Sequence, residues 1–471
     1  MRIVFIYNKE QRELKNFYYL EKLIKKEYPD ADVLITKLFV PDFLHNILIF
    51  QPQVILGYPL TSWGTAKYYY LLKAIFNCKI VLYRTEGTVN TGASNTSLYA
   101  GYDEYGPLLV DGELFWGRKQ MDIVAPQLLN AEKLSSLERV KAVGYLRYEA
   151  LLQNHSNLPE RITKRFSSYA REKIITFVTG FQFADYSKED MLRAGDLIDP
   201  SANNNQEILS SLLLLRDKIL AYRERWTKAI IDTAKLNPDS LIVVKPHPVE
   251  IEQWEEDGVS NPYLSVFRPI DNILFINEPC STEILIASSA VLVHYGSTCL
   301  ADTYLLNTFS IEATVEDLML EFRDNKNIIP YGALEWPSNA KLPVEDVAEF
   351  ITREKKRFSR PEAPSGFKTV LQKNFNLILG QPYLPSREII DSIFFNDKFP
   401  LQNIDSSLKD LHFFYKHLFS MPRMIFKQGM ISMFYTLFHG EWKKLIVLVR
   451  GGINILRLFY KGFRVRKLDT I

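Results

Sequence analysis

Two histidines stand where an apolar run gives way to a turn. Lys245-Pro246-His247-Pro248 follows Leu241-Ile242-Val243-Val244, and His294-Tyr295-Gly296-Ser297-Thr298 follows Val291-Leu292-Val293. Each proline biases the residue before it toward extended backbone, so His247 is kept out of a helix and held at a strand edge. An imidazole there can donate to a phosphate oxygen, and Lys245 adds a fixed positive charge. The same residues also fit a strand-end turn in which the histidine only caps. Pro248 suits the first position of a helix over Glu250 to Glu255, because its missing N–H is not needed there. Gly296 permits close backbone approach. Ser297 and Thr298 either cap the helix expected over Cys299 to Leu305 or join its free N–H groups in holding an anion. His294, on an apolar strand, fits a satisfied core residue as well as a ligand. Two such ends in one domain point together to a phosphate or nucleotide site, since open α/β sheets bind ligands beyond the C-terminal ends of their strands.

Further carboxylates stand at comparable places. Glu278, after Ile273-Leu274-Phe275-Ile276-Asn277, fits a partner for a ribose hydroxyl or base edge, and equally a solvated loop residue or the cap of a helix from Thr282. Glu86 lies in Arg84-Thr85-Glu86-Gly87, beyond the run Ile80-Val81-Leu82-Tyr83. A carboxylate there, with glycine and a long polar loop after it, is placed as a general base; a surface loop glutamate would look the same. Asp111, Glu113 and Arg118 are weaker candidates for the same neighbourhood.

Absent motifs narrow the chemistry. No G-x-G-x-x-G or P-loop stands on a strand–helix turn, so dinucleotide and NTP-hydrolysing functions lack support. No H-E-x-x-H or paired-cysteine spacing implies a metal, and no Gly-x-Ser-x-Gly elbow implies a hydrolase triad. Three cysteines without metal spacing fit small core residues in a reducing compartment. With 47% hydrophobic and 24% charged residues the chain reads as folded and globular, and a net charge of +2 names no partner. Met1 to Tyr7 reads as a buried strand and not as a signal segment, and no run is long and apolar enough for a membrane span. A cytoplasmic address is expected, peripheral at the inner face of the cell membrane.

The elements that must position these residues alternate. Strands are expected at Ile3–Tyr7, Val33–Ile35, Val54–Pro59, Ile80–Tyr83, within Leu108–Trp116 and at Val140–Gly144. Amphipathic stretches lie between them, such as Gln11 to Tyr28 with Leu14, Phe17, Leu20 and Ile24 on one face. A second series starts at Ile174–Gly180. It continues through a long helix over Ile208 to Leu236, the strands above, and a short strand over Thr308 to Ile311. Strands separated by helical lengths imply parallel sheets covered on both faces. The expected fold is α/β, two Rossmann-like lobes facing a cleft, with a C-terminal helical, basic-aromatic extension. The expected boundaries are residues 1–165 for the first lobe, 170–345 for the second, 346–405 for a helical return segment and 406–471 for the tail.

The order of these motifs resembles bacterial glycosyltransferases of the GT-B fold. More narrowly, it resembles the sialyltransferase and Kdo-transferase group, which uses CMP-activated nonulosonic or related sugars. It is also similar to the broad family of surface carbohydrate biosynthesis proteins. The resemblance implies that Glu86, in Thr85-Glu86-Gly87, is the catalytic base. It implies that His247-Pro248 binds the CMP phosphate and that Ser297-Thr298 holds the same phosphate. Val143 to Tyr148 and Ile174 to Tyr186 look like further segments of that group, so the likeness covers roughly residues 1 to 320. The chain departs from the pattern at Thr85, at Asp302-Thr303 and at Asn307-Thr308-Phe309. Similar His-Pro and Gly-Ser-Thr patterns occur in polyol-phosphate transferases of teichoic acid assembly.

The resemblance further implies a metal-independent transferase without a cofactor. Glu86 and His247 are its catalytic residues. From the resemblance together with the residue pattern, Lys245, Pro248, Glu278, His294, Gly296, Ser297, Thr298 and Asp302 are expected to bind a nucleotide-sugar donor, and Arg84, Gly87 and Arg118 to lie on the acceptor side. The acceptor is a hydroxyl of a growing cell-surface polysaccharide or lipid-linked glycan. Basic residues among bulky apolar ones over Leu445 to Lys467 suit an anionic membrane surface, while Phe413 to Phe438 fits that role or a helical cap on the first lobe. No nucleic-acid partner is expected, because basic residues cluster only in the tail. The rivals are a CDP-polyol phosphotransferase and a non-catalytic two-lobed nucleotide- or glycan-binding protein.

Overall fold

A computed structural model describes residues 1–7, 13–38, 43–57, 68–69, 72–73, 76–84, 110–130, 137–152, 160–181, 184–191, 206–248, 250–251, 254, 261–276, 282–297, 299–315, 336–359 and 361–394. The chain forms two compact units. In the first, β1 (Arg2–Tyr7), β2 (Asp32–Lys37), β3 (Val54–Gly57), β4 (Lys79–Tyr83), β5 (Gly112–Phe115) and β6 (Val140–Ala142) make one parallel sheet in the order β2-β1-β3-β4-β5-β6. Helices α1 (Lys15–Glu27), α2 (Phe43–Phe50), α3 (Arg118–Asn130) and α4 (Leu146–Leu152) accompany it. Ile3, Val4, Phe5 and Ile6 are all buried, as a strand covered on both faces requires. Phe17, Leu20 and Ile24 of α1 are buried as their spacing predicts. Ser62 to Phe76, whose pattern also reads as helical, lies largely outside the described residues.

In the second unit α5 (Glu160–Phe166) precedes β7 (Ile174–Val178). Then come α6 (Gln206–Leu236), β8 (Leu241–Lys245), β9 (Ile273–Phe275), α7 (Thr282–Ala287), β10 (Val291–His294), α8 (Cys299–Leu306), β11 (Phe309–Thr314), β12 (Ala340–Pro343) and α9 (Val347–Arg353). The sheet order is β12-β11-β10-β7-β8-β9, parallel throughout. The chain starts in the middle at β7, builds outward through β8 and β9, then returns to the other flank of β7 as β10. That reversal is a topological switch point, where the turns after neighbouring strands run to opposite faces and leave a crevice. Trp226 of α6 is fully buried beneath this sheet, edge-on to Phe177 and Tyr222.

Two features differ from the sequence expectation. The strand β12 has half-buried and exposed residues in alternation and ends in Pro343, as an edge strand does. Its four residues, Ala340-Lys341-Leu342-Pro343, contain no β-branched residue and so lack the apolar run that marks strands such as β1, β7 and β8. Asn154 to Arg171, polar and charged with Pro159, reads in sequence as a connection between the lobes, but it contains α5, whose Ile162 and Phe166 are buried against Ile174, Leu241 and Val243 of the second unit. Two buried positions in seven residues give too little periodicity to outweigh five charged or hydroxyl-bearing neighbours.

The segment 346–405 divides between the units. Val347 and Ile351 of α9 belong to the second unit's core. The chain passes to the first unit at Gln372, within α10 (Phe367–Phe375), and continues there through α11 (Pro385–Phe394). Phe375 stacks 5.8 Å from Trp116, and Lys79 Nζ donates to the Ser392 carbonyl at 2.7 Å. Buried Glu149 accepts the Ser386 N–H at 2.7 Å and the Ser386 hydroxyl at 2.5 Å. The tail 406–471 lies outside the described residues, and with it Leu445 to Lys467. Among the described residues no helix is long and apolar enough to cross a membrane.

Candidate functional site

The two histidine-bearing motifs leave the second sheet at one level. Val178 of β7 pairs with Lys245 on one side, and Phe177 pairs with Val293, one residue before His294, on the other. Both motifs therefore flank the end of β7 at the carboxyl edge. The next residues of β7's exit, Thr179 and Gly180, sit between them in the strand order. Thr179 N–H donates to the Lys245 carbonyl at 3.1 Å, which continues the ladder past the strand.

On the β8 side Lys245 is buried, and its Nζ donates to the Pro246 carbonyl at 2.8 Å. Its charge thus holds the turn internally. His247 is half-buried. Pro248 opens a helical turn, as expected of a residue without an N–H to satisfy. Glu250, three residues after His247, reaches back: its Oε1 accepts the His247 N–H at 2.9 Å. This is the glutamate half of a capping box, in which the third helical residue satisfies the amide of the cap. The Thr179 hydroxyl donates to the same oxygen at 2.8 Å, and the Tyr263 hydroxyl donates to Oε2 at 3.2 Å. Burial pushes the Glu250 carboxyl above its ordinary range, and these hydrogen bonds pull the other way.

On the β10 side His294 has 0% of its surface exposed. Its Nδ1 accepts the Gly296 N–H at 3.1 Å, which leaves the ring hydrogen on Nε2, 3.4 Å from Ser338 Oγ. Burial pushes its pKa down to about 3, with nearby Lys341 adding to the effect. A neutral, enclosed imidazole cannot present positive charge to a phosphate; what it does is set the turn. Gly296 has φ +94°, a conformation that glycine adopts without strain. Ser297 Oγ accepts the Cys299 N–H at 3.3 Å, and the Ser297 carbonyl accepts the Leu300 N–H at 3.0 Å, so this serine caps α8. Asp302 is buried in the first turn of that helix. Thr298 and Glu278 lie outside the described residues.

Tyr295 occupies the switch point itself. A Cβ added at Gly180 would lie 1.5 Å from the Tyr295 hydroxyl, so the bare backbone of Gly180 makes the room the phenol needs. The ring stacks 6.0 Å from Phe181 and lies edge-on to Trp226.

In the first unit Arg84 is buried, with Nε 2.6 Å from Glu113 Oε1 and its guanidinium 5.0 Å over the Phe115 ring. Asp111 is likewise internal, 2.5 Å from Lys73 Nζ and accepting the Ile80 N–H at 2.7 Å. These groups brace β4 against β5. Arg118 is exposed at the start of α3. Glu86 and Gly87 lie outside the described residues.

The structure thus brings Lys245, His247, Pro248, His294, Gly296 and Ser297 to one sheet edge. Thr179, Gly180, Glu250, Tyr263 and Tyr295 join them there, and none is among the site residues expected from the sequence. Glu250 carried a signal in its capping-box spacing from His247. Gly180 carried one in coming directly after a strand. Tyr263 and Thr179 carried none, since their partner is reached only through the fold. Among the described residues no group of three or more His, Cys, Asp or Glu is arranged to hold a metal ion.

No protein-family profile matches the chain, and no curated protein matches it. Solved structures do. A variant of the wall teichoic acid polymerase TagF aligns over 84% of this chain and 89% of its own, at 11% identity and a TM-score of 0.50. The UDP-GlcNAc 2-epimerase of Methanocaldococcus jannaschii, in complex with UDP-GlcNAc and UDP, aligns over 83% and 98%, at 12% identity and 0.42. The S. aureus MnaA–UDP structure aligns over 83% and 95%, at 13% identity and 0.44. At these identities the likeness is one of fold. The chain has an α/β fold of the GT-B type, built from two Rossmann-like units.

Proposed function

We propose that the chain is a transferase that takes a nucleotide-activated donor on its second unit. The observation that carries this is the pair of turns, one bearing His247 and the other Gly296-Ser297, at one level on either side of β7 at a switch point. That is where a parallel sheet binds phosphorylated ligands. In this reading His247, with Ser297 and Thr298, stabilises charge on the departing phosphate, the electrostatic role that dominates such chemistry. Lys245, Pro248 and His294 shape the two turns. Glu278 and Asp302 serve the ribose side. Glu86 of the first unit deprotonates the acceptor hydroxyl, with Arg84, Gly87 and Arg118 as its surroundings. The donor is a CMP-activated nonulosonic acid or Kdo, by the resemblance of the motifs, and it needs no metal because CMP leaves as a monophosphate. The acceptor is a surface polysaccharide or lipid-linked glycan, met at the inner membrane face through Leu445 to Lys467.

A second reading is a CDP-polyol phosphotransferase of the teichoic-acid type. It is favoured by the fold likeness to a wall teichoic acid polymerase. The two separate in a thermal-shift screen with CMP, CDP, UDP, GDP and ADP, followed by transfer assays with a CMP-sugar and with CDP-glycerol. A ligand at 100 times its Kd raises apparent stability by about 2.7 kcal/mol. Stabilisation by CMP or CDP is expected. His247→Ala should lose it, and Glu86→Gln should keep it while losing transfer by about 100-fold or more. Selective stabilisation by UDP, or near-normal transfer by both variants, would overturn the assignment.

A further inference from the structure

The buried carboxylate of Glu250 has no part in the roles assigned above. A capping-box glutamate needs only to reach the amide three residues back, and on a surface helix it does so from solvent. Glu250 is 2% exposed and takes donations from three separate segments. The His247 N–H comes from the β8 turn at 2.9 Å, the Thr179 hydroxyl from the exit of β7 at 2.8 Å, and the Tyr263 hydroxyl from the segment ahead of β9 at 3.2 Å. Enclosing a carboxylate costs free energy that hydrogen bonds only partly offset, and cohesion alone is served as well by an apolar side chain of that size. What the carboxylate adds is direction. It fixes the main chain of His247, and with it the origin of the imidazole, against the neighbouring strand.

We propose that Glu250 is a positioning residue of the donor site, holding the His247 amide against the end of β7 so that the imidazole stands at a set place on the sheet edge. This rests on the reading that His247 meets the donor phosphate. Displacement of a reacting group by about 1 Å is enough to cost large factors in rate or affinity.

The test uses the full chain, with Glu250→Ala, Glu250→Gln and Thr179→Val, and with Tyr263→Phe as a control for the distal donor. Hydrogen exchange at the His247 amide reads the hold without any ligand, and calorimetry with CMP and with CDP reads its consequence. In Glu250→Ala the amide should exchange at least about tenfold faster and nucleotide binding should weaken about tenfold, at an unchanged nucleotide stoichiometry. Glu250→Gln keeps one acceptor oxygen and should recover part of both losses, whereas Tyr263→Phe should shift neither by more than about twofold. Wild-type amide protection and wild-type nucleotide affinity in Glu250→Ala overturn the proposal. Should that variant fail to fold, the same pair of results in both Glu250→Gln and Thr179→Val overturns it. If the wild-type chain binds neither CMP nor CDP, the donor reading falls and the positioning role with it. The exchange data then show separately whether Glu250 holds the turn.

Discussion

His294 accepts the Gly296 N–H on Nδ1 at 3.1 Å with no surface exposed, so a proton added there would bury a charge and break a hydrogen bond together. Its pKa of about 3 in the fold lies below the ordinary 6.5. Below about 6.5 the unfolded chain takes up a proton that the folded chain refuses. The stability from this residue is therefore complete above 6.5 and declines as pH falls toward 3, by about 1.4 kcal/mol per pH unit. Urea unfolding at pH 7.5 and 5.5 checks this. The wild type should lose about 1.4 kcal/mol more than His294→Gln over that interval, and equal slopes would show that His294 does not titrate against the fold. Such a histidine was visible in the sequence as a strand-end residue on an apolar run. Whether it faced a ligand or the core depended on what closed over it. Ser338 and Lys341, more than forty positions away, lie beside it only because β12 joins the sheet edge.

At the scale of elements, the turns after β7, β8 and β10 interlock. Gly180 is the narrowest point, because a methyl there would meet the Tyr295 ring within 3 Å at three atoms. The half-buried ring is flanked by Phe181, Tyr222 and Trp226. Gly180→Ala should therefore destabilise the chain by about 1–3 kcal/mol, the usual penalty of overpacking. It should also weaken nucleotide binding by moving the Gly296 turn. Chemical denaturation with and without CMP would measure both effects. A neutral substitution would mean that Tyr295 swings away freely. The strands that carry these turns were readable as apolar runs with β-branched residues. Their adjacency was not: β8 and β10 lie 46 residues apart at Lys245 and Val291, and only sheet order places both beside β7.

Across the whole molecule, the chain's return to its first unit is a structural joint. Glu149 binds the Ser386 N–H, the Ser386 hydroxyl and, at 2.9 Å, the Tyr19 hydroxyl, so one carboxylate fastens α11 to α4 and α1. At Gly117 a Cβ would lie 2.3 Å from the Asn374 backbone, which lets α10 pack closely there. Glu149→Ala strands three donors and should cost about 2–4 kcal/mol. Hydrogen exchange should rise over Lys15–Glu27 and Pro385–Phe394, with little change over β7 to β12. An even rise across both units would contradict this division of the chain. The helical periodicity that sets in at Val347 marks where helices begin and does not mark which core they join.

The sequence by itself determined the alternating strands and helices other than β12 and α5, the parallel sheets and the two motif-bearing strand ends, because burial on two faces demands apolar runs and turns demand Gly and Pro. It also determined that His247 and Gly296-Ser297 stand at carboxyl ends, since chain direction alone requires it. Tertiary structure decided which of those groups face inward. Lys245, His294, Arg84 and Asp111 all carry chemistry on paper, and all are buried in the fold. It also decided that Glu250 joins Thr179, Tyr263 and His247. Hydrogen bonds between segments depend on strand order and register, and those are set by the packing of whole elements, not by local residue type.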